Sequence, residues 1–341
     1  MNTTVKTSTD NYSVITGYGL LNNIATLLPD DAKGKKITIV TDDIVAPLYL
    51  DIVKNSIPSA LTFVIPNGEK SKSIEYAEKI SNFLAENNFT RKDYVLALGG
   101  GVVGDLAGFV SSIYMRGIPY MQLPTTLLAG IDSSVGGKTA VNIGFGKNLV
   151  GRIYPPEKVI FDLNTLKTLP ENIMLDGLGE GLKYAVLCGG ELFAIMESGL
   201  DDNNIERFVD LCVEYKKKVV QKDENEQNLR RLLNLGHTIG HAIERESDLT
   251  ILHGVAVAMG LRMIALASCK NGFLSKDDCD KIVVLIDKYK VPACPFDMEK
   301  LLCHVSVDKK TEDGAINLVV IKKIGKCDIV KVPLQNLREF F

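Results

Sequence analysis

Tyr94-Val-Leu-Ala-Leu98 runs directly into Gly99-Gly-Gly101-Val-Val-Gly104-Asp105, and this junction decides the fold. The first five residues read as a buried strand, and Leu106, Phe109 and Val110 repeat at helical spacing after the glycines. Gly99-x-Gly101-x-x-Gly104 therefore sits between a strand and a helix. In that context glycines permit a tight turn and let backbone N–H groups approach a pyrophosphate. A glycine-rich turn can also serve packing alone, but the flanking strand and helix favour the dinucleotide reading.

Working outward, Lys36–Val40, Thr62–Ile65, Pro119–Leu123 and Val159–Phe161 read as strands, and Ile74, Ala77, Ile80, Phe83 and Leu84 as a helix face. This βαβ rhythm predicts an α/β, Rossmann-like domain with a mostly parallel sheet. The acidic residue that usually follows the fingerprint by about 20 residues is missing. Ribose contacts are expected instead from Asp42 and Asp43, or from Glu69 and Lys72 in Gly68-Glu-Lys-Ser-Lys72. Arg116 and a long polar loop follow, comprising Pro124-Thr125-Thr126, Asp132-Ser-Ser-Val-Gly-Gly-Lys138 and Gly146-Lys147-Asn148. Loops of this composition grip phosphates and polyols.

The boundary falls near Asp162 to Pro170, giving a domain of residues 1–165 and a mainly helical one of residues 166–341 that ends in two strands, Ile316–Ile321 and Cys327–Val332. A helix beginning near Asp176 places Glu180 and Lys183, three apart, on one face. The helix from Ile205 to Val220 is expected to bury Phe208, Val209 and Cys212 and to display Lys216.

Three of the four histidines lie in Arg230–His253. At helical pitch Arg230, Asn234, His237 and His241 form one polar stripe about 60° wide, opposite Leu232, Leu235 and Ile239. Histidines four apart often sit on a solvated face, but such a face carries Lys and Glu rather than Asn and Thr. His253 returns after a short loop, and Glu180 offers a carboxylate. Two imidazoles plus one carboxylate is the ligand set of a catalytic Zn²⁺ site.

Bulk properties narrow the class. The 341 residues are 46% hydrophobic with a formal charge of −3, which suits two cored domains and gives no basic footprint for nucleic acid. Seven cysteines without a C-x-x-C pair imply free thiols in a reducing compartment. Neither a signal-peptide layout nor a bilayer-length apolar run is found, so a cytoplasmic protein is expected.

The motifs Gly99-Gly-Gly-Val-Val-Gly-Asp-Leu-Ala-Gly108, Pro124-Thr-Thr-Leu-Leu-Ala129, Asp132-Ser-Ser-Val-Gly-Gly-Lys-Thr-Ala-Val-Asn142, Lys147-Asn148, Leu233-Asn-Leu-Gly-His-Thr-Ile-Gly-His-Ala-Ile-Glu244 and His253-Gly resemble the 3-dehydroquinate synthase family. The resemblance runs from about residue 36 to the C-terminus. It implies NAD in the first domain, Zn²⁺ or Co²⁺ in the second, a site in the cleft between them, and a homodimer.

Carried over by motif, it implies metal ligands Glu180, His237 and His253, with His241 left unligated for proton transfer beside Glu226. Substrate contacts would be Arg116, Asp132, Lys138, Asn148, Lys183, Lys216, Arg230, Asn234, His241 and one of Lys309 or Lys310. Catalytic roles fall on His241, Glu226, Lys183, Arg230 and Asn234. Dinucleotide contacts would be Asp42, Asp43, Glu69, Lys72, Gly100, Gly101, Val102, Asp105, Thr125, Thr126 and Lys147. The sequence departs from the family at Asp176, where Asn or Ser is expected, at Gly179, where Ala is usual, and at Glu171-Asn172.

The implied reaction converts 3-deoxy-D-arabino-heptulosonate 7-phosphate to 3-dehydroquinate and phosphate. Rival readings are another sugar phosphate cyclase, such as a 2-deoxy-scyllo-inosose synthase, an NAD-dependent metal polyol dehydrogenase, and a catalytically dead nucleotide-binding or scaffold protein. Arg and Lys near the expected site argue against an uncharged polyol.

Overall fold

The computed structural model describes residues 2–6, 11–223, 229–306, 311–312 and 314–341. Two compact units divide the chain, Met1–Leu169 and Pro170–Phe341.

The first unit holds strands β1 (Asn2–Lys6), β2 (Asn11–Gly17), β3 (Ile37–Asp42), β4 (Leu61–Ile65), β5 (Tyr94–Gly99), β6 (Tyr120–Pro124), β7 (Lys138–Ile143), β8 (Gly146–Ile153) and β9 (Lys158–Asp162). Its α-helices are α1 (Ile24–Leu27), α2 (Asp51–Ser56), α3 (Ile74–Glu86) and α4 (Gly101–Ile113). Seven strands form one sheet in the order β1-β2-β9-β6-β5-β3-β4, parallel except for β1 against β2.

The parallel strands are buried on both faces, so they read as apolar runs rather than alternating ones. Ile39, Leu96, Leu98 and Leu123 meet Ile24 and Val53 on one face, while Val40, Val95 and Ala97 meet Ile80, Leu84 and Leu106 on the other. Chain order runs outward from β3 to β4, then resumes on the far side of β3 with β5 and β6. The carboxyl ends of β3 and β5 thus flank the point where strand order reverses, which is where open α/β sheets bind ligands.

Two features depart from the sequence expectation. The N-terminal segment pairs as an antiparallel hairpin, with Val5 opposite Tyr12. The stretch expected as a polar loop contains a second hairpin, β7–β8, pairing Lys138 with Ile153 and Val141 with Val150. Thr139 and Val141 are buried on its inner side. A Cβ on Gly108 of α4 would lie 2.5 Å from the Thr139 methyl, so glycine there admits the hairpin.

The second unit contains α5 (Glu171–Cys188), α6 (Gly190–Ser198), α7 (Ile205–Lys222), α8 (His237–Glu246), α9 (His253–Lys270), α10 (Lys276–Lys288), α11 (Met298–Ser306) and α12 (Leu337–Phe340), with β10 (Thr311–Glu312), β11 (Ala315–Lys323) and β12 (Lys326–Pro333). The apolar α9 is its axis, packed by α5, α8 and α10. Backbones touch where it meets α5: a Cβ on Gly179 would stand 2.0 Å from the Gly254 carbonyl oxygen. That contact leaves no room for a side chain at residue 179. Among the described residues no helix is long and apolar enough to cross a membrane.

Three expectations for this unit are corrected. The polar stripe does not ride on one helix: Leu229–Asn234 is a 3₁₀ segment, and α8 begins only at His237, after Gly236 at φ 78°. A Cβ on Gly236 would lie 2.6 Å from the Val257 carbonyl, so the break lets α8 close onto α9. Lys216 is buried rather than displayed. Finally, α5 starts at Glu171, five residues before Asp176.

Candidate functional site

Glu180 projects from the middle of α5 with no solvent exposure. Its Oε1 lies 3.3 Å from His237 Nε2 and 3.3 Å from His253 Nε2, while Lys183, one turn on, forms an ion pair with Oε2. Neither carboxylate oxygen has a hydrogen bond of normal geometry among the described residues.

The imidazoles are held from behind. His237 Nδ1–H donates to the Leu235 carbonyl at 3.1 Å, and His253 Nδ1–H to Glu244 Oε2 at 2.9 Å. Both Nε2 atoms therefore face the same carboxylate oxygen. Three electron-rich atoms at such range repel unless a proton or a cation lies among them. Ligands of a tetrahedral ion bonded at about 2.0–2.2 Å stand roughly 3.3–3.6 Å apart, so these residues fit a Zn²⁺-like cation. His241 is near as well: its ring nitrogen and those of His237 and His253 lie within 4.8 Å of one another. Glu180 Oε1 stands 3.3 Å from a ring nitrogen of each of His237 and His253.

Titration follows this geometry. Burial works against the charge on Glu180, but the Lys183 ammonium and His237 outweigh it and hold the carboxyl well below its ordinary range. Burial lowers His237. For His253 burial also opposes charge, yet the Glu180 and Glu244 carboxylates facing its two ring nitrogens push it up to about 10. Positive charge between those two carboxylates is thus strongly favoured.

Glu244 escaped the sequence reading although a signal was present, since it follows His237 by seven residues and so shares its face of α8. Asp176 also holds the site. Its Oδ1 accepts the Gly254 N–H at 2.6 Å, capping the helix that begins with His253. Buried cations gather in the same unit: Lys183, Lys216 and Arg230 are 1%, 7% and 2% exposed. Arg230 is fixed by its main-chain N–H, which donates to Asp223 Oδ2 at 2.9 Å. Asn234 ends the 3₁₀ segment. Glu226, Lys309 and Lys310 lie outside the described residues.

In the first unit, the fingerprint opens α4, whose N-cap Gly100 makes no side-chain cap bond and whose first turn carries no acid. The leading amides of this 13-residue helix are left for an anion. A Cβ on Gly100 would meet the Thr126 methyl at 3.1 Å, and one on Gly101 would meet Ser133 Oγ at 3.2 Å, so the turn is a cradle that side chains would crowd. Val102 is the second residue of α4. Thr125 binds the Gly99 carbonyl through its N–H at 3.0 Å, and its buried hydroxyl lacks a partner among the described residues. These features fit a dinucleotide pyrophosphate at the turn.

Other candidates have local work. Asp42 Oδ1 accepts the N–H groups of Ile44 and Val45, and Asp43 Oδ1 accepts that of Asn67. Lys72 pairs with Asp105 at 2.6 Å. Asp132 lies in the helical turn Ala129–Ser133, and Lys138, Lys147 and Asn148 belong to the β7–β8 hairpin. Arg116 stands apart. It precedes β6 at the amino ends of the strands, opposite the glycine turn, and lines a cavity of about 640 Å³ with Lys35, Arg91, Lys92 and Glu157. Met115 and Arg116 both take left-handed backbone there, at φ 48° and 69°.

Models of known families match most of the chain: 3-dehydroquinate synthase N-terminal over residues 62–176 and 3-dehydroquinate synthase C-terminal over residues 177–311. The 3-dehydroquinate synthase of Desulforamulus reducens is 42% identical over 337 residues, covering 94% of this chain and 93% of that one. That of Streptococcus suis is 38% identical, covering 100% and 99%.

Among solved structures, 2-deoxy-scyllo-inosose synthase complexed with carbaglucose-6-phosphate, NAD⁺ and Co²⁺ superimposes with a TM-score of 0.90 at 23% identity, over 99% and 98% of the two chains. The 2-epi-5-epi-valiolone synthase of Streptomyces hygroscopicus subsp. jinggangensis, with NAD⁺ and Zn²⁺ bound, gives 0.86 at 25%, over 96% and 95%. A probable glycerol dehydrogenase from Sinorhizobium meliloti shares the fold more distantly, at 0.65 and 13%, over 96% and 94%. With full-length relatives above 30% identity and both halves matched, the chain belongs to the 3-dehydroquinate synthase family.

Proposed function

We propose that this chain converts 3-deoxy-D-arabino-heptulosonate 7-phosphate to 3-dehydroquinate and phosphate, with NAD and a divalent cation. The observation that carries the reading is the convergence of Glu180 Oε1 with the Nε2 atoms of His237 and His253 at 3.3 Å each. Glu180, His237 and His253 would hold the cation. When bound, the cation would supply Lewis-acid polarisation of the substrate's C5 oxygen and NAD reversible oxidation at C5, so that the cycle would consume no oxidant.

The chain's own residues supply the rest. Arg230, Lys183 and Lys216 offer buried positive charge to a carboxylate and a phosphate, the guanidinium of Arg230 being suited to bidentate contact. Asn234 would orient hydroxyls or anionic oxygens. His241, whose ring neighbours those of His237 and His253, would take the hydroxyl proton, with Glu226 as its relay. A ketone at C5 would make the C6 proton acidic, so that this proton and the phosphate could be lost by elimination before ring opening and internal aldol closure. In the first unit the opening amides of α4 would take the dinucleotide, with further contacts from Asp42, Glu69, Lys72, Thr125 and Lys147. We also take the cation to be Zn²⁺ or Co²⁺ and the working form to be a cytoplasmic homodimer.

Phosphate release from the heptulosonate phosphate, with NAD at catalytic concentration and with or without chelator, tests the assignment. Turnover is expected only with metal and without NADH accumulating. Net NADH from glycerol-like substrates would move the protein to the polyol dehydrogenases, and turnover of glucose 6-phosphate instead would make it a deoxyinosose-type cyclase.

A further inference from the structure

Asn142, the fifth residue of β7, has no role in the account above, yet it joins two segments that do. Its main-chain N–H donates to the Lys72 carbonyl at 2.8 Å. Its Nδ2 donates to Glu69 Oε1 at 2.7 Å, and its Oδ1 accepts the main-chain N–H of Asn148 at 2.8 Å. Lys72 continues the chain of contacts to Asp105 at 2.6 Å, on the helix that opens at the glycine turn. Asn148 sits at φ 55°, a left-handed backbone that persists where its surroundings hold it, and the Asn142 carbonyl is one of its holds.

We propose that Asn142 is a positioning residue that couples dinucleotide binding to sugar-phosphate binding. One planar amide spans the gap, its donor end fixing the Glu69 carboxylate and its acceptor end fixing the Asn148 backbone. When a dinucleotide orders Glu69 and Lys72, the hairpin bearing Lys147 and Asn148 is ordered with them, and the converse holds by linkage. Asparagine is the residue type that does both. Aspartate keeps the acceptor for Asn148 but sets a second carboxylate against Glu69, and alanine removes both ends. The main-chain bond to Lys72 survives either change, so the hairpin keeps its anchor.

The inference rests on reading Glu69 and Lys72 as dinucleotide contacts and Asn148 as a substrate contact. Its test is calorimetric titration of NAD into the metal-loaded full chain, with and without a saturating phosphonate analogue of the substrate. In the wild type the analogue is expected to tighten NAD by about fivefold or more. Asn142→Ala should bring that ratio close to one, and Asn142→Asp should weaken NAD even without the analogue. A wild-type ratio of one, or an Asn142→Ala ratio equal to the wild type's, overturns the coupling; a lowered melting temperature with the ratio intact marks a merely structural residue and overturns it too. Glu69→Ala serves as the control on the underlying reading. If it leaves NAD affinity unchanged, the loop assignment itself falls; if it weakens NAD while Asn142→Ala keeps the ratio, the coupling alone is lost.

Discussion

Glu244 Oε2 lies 2.9 Å from Nδ1 of His253, on the side of the ring away from Glu180. A carboxylate in this position fixes the imidazole's tautomer and orientation and raises its basicity as a ligand. Glu244→Ala is expected to weaken divalent-metal affinity by roughly 10–100-fold. Glu244→Gln, which retains an acceptor, should lose less. Chelator competition with Co²⁺ or Zn²⁺ reads both, and unchanged affinity in the alanine variant would refute the role.

His237 and His241 lie four residues apart on α8 with ring centroids 5.4 Å apart, but their expected roles differ. His237→Ala should abolish metal binding. His241→Ala should keep the metal and lose turnover by roughly 10²–10⁴-fold, the usual contribution of a general acid or base. Metal analysis of the purified variants alongside phosphate release separates the two, and the opposite pattern would reverse the assignments.

A pH dependence follows from His253. Its folded value of about 10 stands above the ordinary 6.5, so in metal-free protein its proton contributes stability that is complete below about 6.5 and lost as pH climbs through 10. Metal binding must displace that proton. Apparent metal affinity should therefore rise with pH across this window, by up to about tenfold per unit, and level off above it. An affinity flat from pH 7 to 9 would contradict the picture.

Asp176 offers a second test, with the same direction of pH dependence. Burial raises its carboxyl above 3.8, outweighing the hydrogen bond from Gly254, so its stabilising contribution is present at low pH and lost as pH rises through the raised value. Asp176→Asn keeps an acceptor for the Gly254 N–H without the buried charge. In metal-free protein it should melt about 1–3 °C above the wild type at pH 7–8 and level with it near pH 3–4. A lower midpoint at neutral pH would show that the charge itself is needed at the start of α9.

Parts of this protein were legible from local order alone. The glycine turn between β5 and α4 announces itself because φ/ψ freedom and the strand-to-helix change of period are properties of neighbouring residues. The same holds for the parallel strands, whose apolar runs record burial on both faces. The polar face of residues 230–241 was visible too, but its continuity was not. A helix-period pattern could not reveal that Gly236 turns left-handed where α8 meets Val257 of α9. The N-terminal hairpin left a weak alternation, Thr3 and Val5 inward against Tyr12 and Val14, that Ser- and Thr-rich composition obscured.

The sequence by itself determined which residue types were available: three histidines, a carboxylate in a glycine-rich helix, and cations spaced along the second half. Tertiary structure alone decided that Glu180 reaches residues 57 and 73 positions downstream, that Glu244 stands behind one of them, and that Lys216 is buried. Periodicity encodes the side of an element that is apolar. It carries no information on which distant element covers that side, because close approach depends on where facing backbones have no side chain between them, as at Gly179 and Gly254.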